Sequence, residues 1–371
     1  MTITIVDSLH TLHDLRAQLA SEKIIAIDTE FHSENRYFPE LMLLQIANKD
    51  GQVWIVDPKC INPEPLGAAL RNSIIITHGG REDVRILYRE LGLKPKKLFD
   101  TQIAAGLLGY RFPIGLGHIA LELTGKEVSK GETLTDWSIR PLTPKQIEYA
   151  AQDARILFSL YEALLKRLKE EKKEDLCWLA STELVLETLQ FRYVREDWLH
   201  WGLAETLSIE SQRVMSALLE WREDVSERKN KPANYILPKL SLIYLAKQHP
   251  THIRQIQNRK INRIFLKKYG ADVIKVIKTA LESDECFSIP SPEDNEKIEF
   301  ISLWAKLFGK QVSIAHKLLL PPKLIQVIVC NGLKEIDGWR KDICTEPLLR
   351  FLEGKESILF HKDELILKKV T

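Results

Sequence analysis

Hydrophobic residues in the first hundred positions fall mainly in short runs typical of β-strands, separated by stretches with helical spacing. Five of these runs combine β-branched or aromatic residues with polar or turn-forming ends. They predict strands over residues 3–7, 24–31, 41–47, 52–57 and 73–78. Apolar spacing predicts helices over residues 9–20 and 81–91. Because short polar turns join the second, third and fourth strands, we expect these three to pair antiparallel within a mixed sheet.

Helical patterns dominate the chain from residue 100 onward. Thr143, Pro144 and Gln146 are typical of a capped helix start and predict one long helix over residues 143–170. From about residue 176 the pattern is helical throughout, without a further strand. The stretch 283–296 is rich in Ser, Pro and acidic residues and predicts a domain boundary. The predicted organisation is an α/β domain over residues 1–175, followed by helical modules over residues 205–285 and 298–371.

The composition is that of an ordinary globular protein, with 44% hydrophobic and 28% charged residues. A length of 371 residues exceeds what one core usually serves and supports two or three domains. No apolar run is long enough to cross a bilayer, and the N-terminal segment lacks the features of a secretory signal. Five scattered cysteines show neither zinc nor redox spacing and fit a reducing cytosol. We therefore expect a cytoplasmic protein without a membrane partner.

The net charge of +2 conceals an asymmetry along the chain. Residues 1–200 contain 25 Lys and Arg against 29 Asp and Glu, whereas residues 201–371 contain 28 against 22. Much of the positive excess is in a basic run, which we consider a candidate contact for nucleic-acid phosphates. The candidate residues are Arg254, Arg259, Lys260, Arg263, Lys267 and Lys268. An ordinary solvated helix face is the alternative interpretation of this run.

Two acidic residues, Asp28 and Glu30, lie inside the predicted strand 24–31. Since side chains alternate along a strand, both project from the same face. Neighbouring anions in apolar surroundings repel each other and lose hydration unless a cation compensates them. No Lys or Arg lies between Lys23 and Arg36, so the segment favours a divalent metal as that cation. A strand end at which both acids are exposed to water is the alternative.

Three more polar residues occupy positions that suit the same chemistry. Asp83 lies at the start of the predicted helix 81–91, where the helix dipole favours a carboxylate. Tyr149 and Asp153 are four residues apart and therefore share one face of the long helix, among apolar neighbours. Each has an ordinary structural explanation when taken singly. Asp83 would be a helix N-terminal acid, and Asp153 would lie on a solvated helix edge.

Taken together, these motifs resemble the ribonuclease D family of the DEDD exonuclease superfamily. Residues 28–31 match the first family motif, and residues 39–47, which include Gln45, match the hairpin that follows it. The second motif matches residues 78–83, and the third matches residues 149–153. With tyrosine rather than histidine at position 149, the third motif resembles that of the tyrosine subclass of the family.

The resemblance extends to the helical part of the chain. Residues 219–222, 230–233 and 242–246 resemble an HRDC domain, and residues 319–321 resemble part of a second copy. The implied fold class is an α/β ribonuclease H-like exonuclease domain with a mixed sheet, followed by two all-α HRDC-like helical domains. Arg81 departs from the small residue that the family usually has there, which affects expectations about local substrate contacts but not about the carboxylates.

The resemblance implies a 3′–5′ exoribonuclease that releases nucleoside 5′-monophosphates and trims tRNA precursors and other small structured RNAs. Asp28, Glu30, Asp83 and Asp153 would hold two divalent metal ions, Mg²⁺ or Mn²⁺, which suit oxygen ligands. Tyr149 would orient the attacking water, because a tyrosine with an ordinary pKa near 10 is a poor base at neutral pH. We expect a monomer whose substrate is RNA with a free 3′ end.

Two other functions compete with this interpretation. A DNA-directed 3′–5′ exonuclease would use the same metal chemistry, and only contacts to the 2′-hydroxyl would distinguish the two polymers. A non-catalytic RNA-binding protein with a degenerate nuclease domain is the second alternative. The complete set of four acids together with Tyr149 argues against it.

Overall fold

A computed structural model describes residues 2–128, 131–132, 135–190, 198, 206–256, 261–287 and 290–370. The strands in this part of the chain are β1 (Ile3–Val6), β2 (Ile24–His32), β3 (Glu40–Ala47), β4 (Val53–Val56), β5 (Ile74–Thr77), β6 (Lys97–Asp100), β7 (Glu356–His361) and β8 (Glu364–Lys369). Its first seven α-helices are α1 (Leu9–Leu19), α2 (Leu66–Leu70), α3 (Arg81–Leu91), α4 (Thr101–Leu107), α5 (Leu116–Thr124), α6 (Pro144–Glu170) and α7 (Glu174–Leu189).

The remaining described helices belong to the C-terminal part of the chain. They are α8 (Ile209–Lys229), α9 (Ala233–Ile236), α10 (Lys239–Gln248), α11 (Arg263–Leu281), α12 (Pro292–Gln311), α13 (His316–Leu319), α14 (Pro322–Asn331) and α15 (Gly338–Leu352). Short 3₁₀ helices at Ile253–Gln255 and Leu333–Glu335 precede α11 and α15. No helix among the described residues is both long enough and apolar enough to cross a bilayer.

The six N-terminal strands of the described residues form one mixed sheet in the order β1-β4-β3-β2-β5-β6. β3 runs antiparallel to β2 and β4, whereas β1 pairs with β4, and β5 pairs with β2 and β6, in parallel. The predicted mixed sheet and the antiparallel pairing of the second to fourth strands are confirmed. The sequence analysis missed β6, because only two of its four residues are apolar and the segment before it is rich in lysine, unlike the apolar β1, β4 and β5.

Both faces of this sheet are covered by helices. Ile25 and Ile27 of β2 point toward a core cluster that includes residues of α1, α2 and α3. Ala26 points to the opposite face, into a cluster that includes Ala150 and Ala151 of α6. Strand alternation therefore directs Asp28 and Glu30, like Ala26, toward the layer that contains α6. Small side chains on α6 allow its backbone to approach the centre of the sheet closely.

The start of α6 agrees with the predicted capping signature. The backbone N–H of Gln146 donates to Thr143 Oγ1 over 3.2 Å, and the N–H of Thr143 donates to Gln146 Oε1 over 2.9 Å. This reciprocal pair satisfies two N–H groups that a helix start otherwise leaves open. It fixes the N-cap, Thr143, six residues before Tyr149 and ten residues before Asp153.

The C-terminal helices repeat one order of elements. A long helix, a one-turn helix, a ten-residue helix, a 3₁₀ helix and another long helix form the series from α8 to α11 and again from α12 to α15. Pro238 and Pro321 occupy equivalent positions before the ten-residue helices, with φ of −56° and −57°. The first series has a core cluster of its own, whereas Trp304 and Leu319 of the second series join a core cluster of the α/β domain.

The second helical series is fastened to the α/β domain by main-chain contacts. Lys173 Nζ donates to the carbonyl oxygens of Leu107, Val312 and Ser313 over 2.9, 3.0 and 2.9 Å. The N–H of Ala315 donates to the carbonyl of Gly106 over 2.7 Å. A Cβ atom on Gly106 would approach a methyl carbon of Leu318 to 2.8 Å, so the Leu318 side chain would have to shift to admit any larger residue.

The first helical series contacts the loop between β2 and β3. Asn230 is in the left-handed region with φ of 48°, and its side-chain oxygen accepts the backbone N–H groups of Tyr37 and Phe38 over 3.2 and 3.0 Å. Tyr235 is also hydrogen-bonded to Asn35. The loop that follows Asp28 and Glu30 in the chain is thus held by α8 and α9.

The expectation that no strand follows residue 176 was wrong. β7 and β8 form an antiparallel hairpin in which Ile358 pairs with Leu367, and both residues pack against a core cluster. Its turn places Lys362 and Asp363 at φ of 46° and 64° without glycine or asparagine. The usual sequence signal of a tight hairpin is therefore missing. The α/β domain followed by a helical region is otherwise confirmed, while the three domain boundaries stay a prediction.

A buried ion pair holds the segment before α6 against the sheet. Arg140 donates from Nε and Nη2 to both carboxylate oxygens of Asp57, over 2.5 and 2.8 Å, and to the carbonyl of Met42 over 2.9 Å. The Asp57 side chain is only 7% exposed. Removal of the arginine would leave a buried charge without its partner, which is strongly destabilising.

We therefore predict that Arg140→Met lowers the free energy of unfolding by about 3–5 kcal/mol, measured by urea denaturation. Arg36→Met is the matched control, because Arg36 forms an exposed pair with Glu40. Exposed pairs contribute about 0–1 kcal/mol. Equal losses in the two variants would contradict a special role for the buried pair.

Candidate active site

Two carboxylates of one strand and a third that is distant in sequence meet beside the centre of the sheet. Asp28 and Glu30 come from β2 and Asp153 comes from α6, and one ligand oxygen from each lies within 4.8 Å of the other two. Asp153 is only 6% exposed. A register shift follows Glu30, which lies opposite Leu43 on β3, and this bulge changes the course of β2 directly after the site.

The fourth predicted acid, Asp83, lies next to this group. Thr29 Oγ1 donates to Asp83 Oδ1 over 2.6 Å. Since Thr29 lies between Asp28 and Glu30, its side chain leaves β2 on the opposite face and reaches the first turn of α3. Repulsion from Asp83 contributes to the raised pKa of both Asp28 and Glu30. The four acids therefore form one electrostatic unit, although Asp83 is outside the group of three.

A buried carboxylate, Asp100, sets the loop that leads to Asp83. It accepts the backbone N–H groups of Gly79 and Gly80 over 3.2 and 2.7 Å, and those of Gln102 and Ile103 over 2.8 and 3.0 Å. A Cβ atom on Gly80 would approach Thr77 Oγ1 to 2.3 Å. Sequence analysis missed this role of Asp100, although an Asp directly before a helix is a recognisable N-cap signal.

All four acids bind protons more tightly than ordinary carboxylic acids, and burial is the largest cause. Burial and repulsion from the other three acids raise the pKa of Asp28 well above its usual value. Burial, with repulsion from Asp153 and Asp83, raises the pKa of Glu30 to about 8. Burial also raises the pKa of Asp83 to about 7 and that of Asp153 to about 6. The metal-free site therefore favours retained protons.

Tyr149 lies beside the group, one helical turn before Asp153. A hydrogen bond from Tyr149 to Asp153 lowers the pKa of that acid and opposes part of the effect of burial. The Tyr149 ring is 6.0 Å from that of Trp137, which is 2% exposed. Trp137 belongs to the segment fastened by Arg140, so the arginine pair and the tyrosine are parts of one packed region.

The donor set fits divalent cations. Carboxylate oxygens are the ligands that Mg²⁺ and Mn²⁺ prefer. Bound cations would relieve the repulsion that raises the pKa of these acids. Asp28, Glu30 and Asp153 form a possible acidic metal site, to which Asp83 is adjacent.

The described residues of the predicted basic run are on the surface. Arg254, Arg263, Lys267 and Lys268 are exposed, on a 3₁₀ helix and on α11. Arg259 and Lys260 lie outside the described residues. Arg81, the departure from the family pattern, pairs with Glu187 of α7 over 2.8 Å. No contact with nucleic acid is assigned to any of these residues by the geometry alone.

Comparison with known families agrees with this fold. The family model described as 3′–5′ exonuclease matches residues 3–169, and the HRDC domain model matches residues 211–277. The first match contains all four acids and Tyr149. The fold and the site thus define a 3′–5′ exonuclease that carries an HRDC domain.

Curated relatives narrow the assignment. A ribonuclease D of Gluconacetobacter diazotrophicus is 34% identical over 270 residues, covering 71% of this chain and 68% of the relative. A ribonuclease D of Nitrobacter hamburgensis is 27% identical over 371 residues, covering 94% of this chain and 95% of the relative. The chain belongs to the ribonuclease D family and is a hydrolase of the 3′–5′ exoribonuclease class. The predicted family is confirmed.

A solved structure has the same architecture over nearly the whole chain. The crystal structure of Escherichia coli RNase D matches with a TM-score of 0.82 at 21% identity, covering 95% of this chain and 99% of that one. At this identity the match establishes the shared fold. It includes the sheet, the covering helices and the helical C-terminal region.

The raised pKa values predict how the metal-free protein responds to pH. Between pH 4 and about 8 the folded site retains protons that the unfolded chain releases, so stability falls as pH rises through this range. We predict a melting temperature in EDTA that decreases from pH 5 to pH 8, and that rises at pH 8 when Asp28→Asn removes one of the charges. Differential scanning fluorimetry measures both effects.

The control for this prediction is Asp272→Asn, which removes an exposed acid on α11. It should leave the dependence of the melting temperature on pH as in the wild type. A melting temperature that rises toward pH 8, or an Asp28→Asn variant that melts below the wild type at pH 8 in EDTA, would contradict the assigned repulsion.

Proposed function

We propose that the chain hydrolyses RNA from its 3′ end and releases nucleoside 5′-monophosphates by two-metal-ion catalysis. The observation that carries the proposal is the convergence of Asp28, Glu30 and Asp153 with Asp83 beside them. Substrates in this proposal are tRNA precursors and other small structured RNAs. The catalytic residues are the four acids and Tyr149.

In this mechanism the acids serve as metal ligands. Asp28, Glu30, Asp83 and Asp153 would hold two divalent ions, Mg²⁺ or Mn²⁺. When bound, such a pair supplies positive charge that stabilises the attacking and leaving oxygens of an in-line displacement at phosphorus. The Thr29 hydroxyl holds Asp83 in place through its 2.6 Å hydrogen bond. Asp100 acts indirectly in this mechanism. It would not hold a metal ion, but it fixes the loop from which α3, and with it Asp83, starts.

Tyr149 has a different role in the proposal. Its hydroxyl interacts with the carboxylate of Asp153, and its ring is packed near Trp137. This fixed position beside the acids allows the hydroxyl to orient the attacking water by hydrogen bonding. Orientation of a reacting water contributes to the rate without the tyrosine itself taking up the proton.

The helical region supports an RNA substrate in this proposal. A groove of about 770 Å³ beside α11 is lined by the basic residues Arg254, Lys275 and Lys278. Lys268 is seven residues, close to two helical turns, before Lys275 and lies on the same face of α11. Such a basic surface suits the phosphates of RNA. The Escherichia coli relative is described as an exoribonuclease involved in structured RNA processing, which favours structured RNA here as well.

The proposed domain organisation is that of the sequence prediction, with an exonuclease domain at residues 1–175 and HRDC-like domains at residues 205–285 and 298–371. The repeated order of elements supports a second HRDC-like domain. The shared core with the α/β domain suggests that this second copy serves mainly as a fixed support. The first copy, with its separate core, then provides the basic surface.

The decisive experiment follows cleavage of a 3′-labelled oligoribonucleotide in Mn²⁺, with a DNA of the same sequence in parallel. We predict that the wild type releases labelled mononucleotide from RNA and that Asp28→Ala abolishes the release, because a metal ligand is lost. Asp272→Asn is the control and should cleave like the wild type. Retained cleavage in Asp28→Ala would contradict the proposed ligand, and preferred cleavage of DNA would favour the alternative substrate.

A separate prediction concerns Tyr149. We expect Tyr149→Phe to lower kcat by roughly 10²-fold, the lower range for a group that assists a reacting proton or water. Mn²⁺ affinity should stay near that of the wild type, because the four ligands are intact. Single-turnover kinetics and isothermal titration calorimetry measure the two quantities. An unchanged kcat would remove Tyr149 from the mechanism.

A further inference from the structure

Gln45 is a fully buried polar residue beside the candidate metal site. Its side chain is 0% exposed, and neither Nε2 nor Oε1 has a hydrogen-bond partner among the described residues. Buried amides are nearly always hydrogen-bonded, and an unpaired one destabilises the fold. An apolar side chain of similar volume would therefore suit the metal-free protein better than glutamine.

The register of the sheet places Gln45 directly beside Asp28. The two residues are opposite each other on β3 and β2, and Ile55 of β4 is opposite Gln45 on its other side. Directly opposite residues project to the same face with Cβ atoms about 4.5–5.5 Å apart. A glutamine amide can span that distance. Like the side chains of Ala26 and Asp28, the Gln45 side chain points toward the layer that contains α6.

Two of the four acids accept a hydrogen bond from a side-chain hydroxyl, whereas no side-chain donor to Asp28 or Glu30 is found among the described residues. Asp83 accepts a hydrogen bond from the hydroxyl of Thr29, and Asp153 accepts one from the hydroxyl of Tyr149. For Asp28 the described residues supply only the backbone N–H of Thr29 and three repelling acids. Gln45 is thus a fully buried side-chain donor that has no acceptor among the described residues, and it lies opposite the half-buried Asp28, whereas Glu30 lies opposite Leu43.

We infer that Gln45 is a positioning residue for Asp28, whose Nε2 donates to the Asp28 carboxylate when divalent metal is bound. The inference rests on the proposed function, because it requires Asp28 to be a metal ligand. A ligand carboxylate that is held by a hydrogen bond has a fixed orientation, and loss of such a partner typically weakens metal affinity 10- to 100-fold. Gln45 itself contacts neither metal nor RNA in this assignment.

The test compares Gln45→Met, which keeps the volume and removes the amide, with the wild type. We expect calorimetry to show Mn²⁺ affinity weakened 10- to 100-fold. We also expect the melting temperature in EDTA to equal or exceed that of the wild type, because an unpaired buried amide has been removed. Ile55→Val is the matched control, since it alters packing on the same face and keeps the amide.

The control should lower the melting temperature slightly and leave Mn²⁺ affinity unchanged. Wild-type Mn²⁺ affinity in Gln45→Met would overturn the inference. So would a melting temperature in EDTA well below that of the wild type, because the glutamine would then stabilise the fold itself. Asp28→Asn separates this result from the proposed function. If Asp28→Asn binds Mn²⁺ like the wild type, the proposed metal site itself is contradicted. If Asp28→Asn loses Mn²⁺ affinity while Gln45→Met keeps it, only the inferred role of Gln45 is contradicted.

Discussion

The desolvation of four clustered acids, together with repulsion within the cluster, is the constraint on which this structure depends. Burial is the largest cause of the raised pKa of all four, and repulsion from other members of the cluster raises the pKa of Asp28 and Glu30 further. A cluster of this kind opposes folding and must be held together by the surrounding structure. In return it offers a concentrated set of oxygen donors to divalent cations, which is the basis of the hydrolysis proposed for this member of the ribonuclease D family.

The surrounding structure holds each acid by a different means. The alternation of β2 fixes Asp28 and Glu30, and the capped start of α6 fixes Asp153. The position of Asp83 depends on the loop before α3. Asp100 holds this loop by accepting two of its backbone N–H groups, and it also accepts two N–H groups at the start of α4. All of these contacts involve main chain or short side chains. Such contacts limit the movement by which repelling groups could otherwise separate.

The two helical series have unequal relations to this site. The second is joined to the α/β domain through a common core and through Lys173. The first has its own core and meets the α/β domain at the loop after β2, where Asn230 accepts two main-chain N–H groups. The same arrangement of helices thus occurs in two structural contexts. The second series is part of the core of the α/β domain, and the first series forms a separate core next to it.

Local geometry explains what the sequence alone determined. A period of two places Asp28 and Glu30 on one strand face, and a period of 3.6 places Tyr149 beside Asp153 on one helix face. Family motifs added Asp83 and the type of fold. The sequence did not reveal β6 or the β7–β8 hairpin, since the first has only two apolar residues and the second turns without glycine. Only the tertiary structure decided that Thr29 reaches Asp83, that Asp100 holds the loop before it, and that Gln45 faces Asp28 with no hydrogen-bond partner in the described part of the chain. These relations are distances between residues far apart in the chain, and such distances depend on packing that local periodicity does not contain.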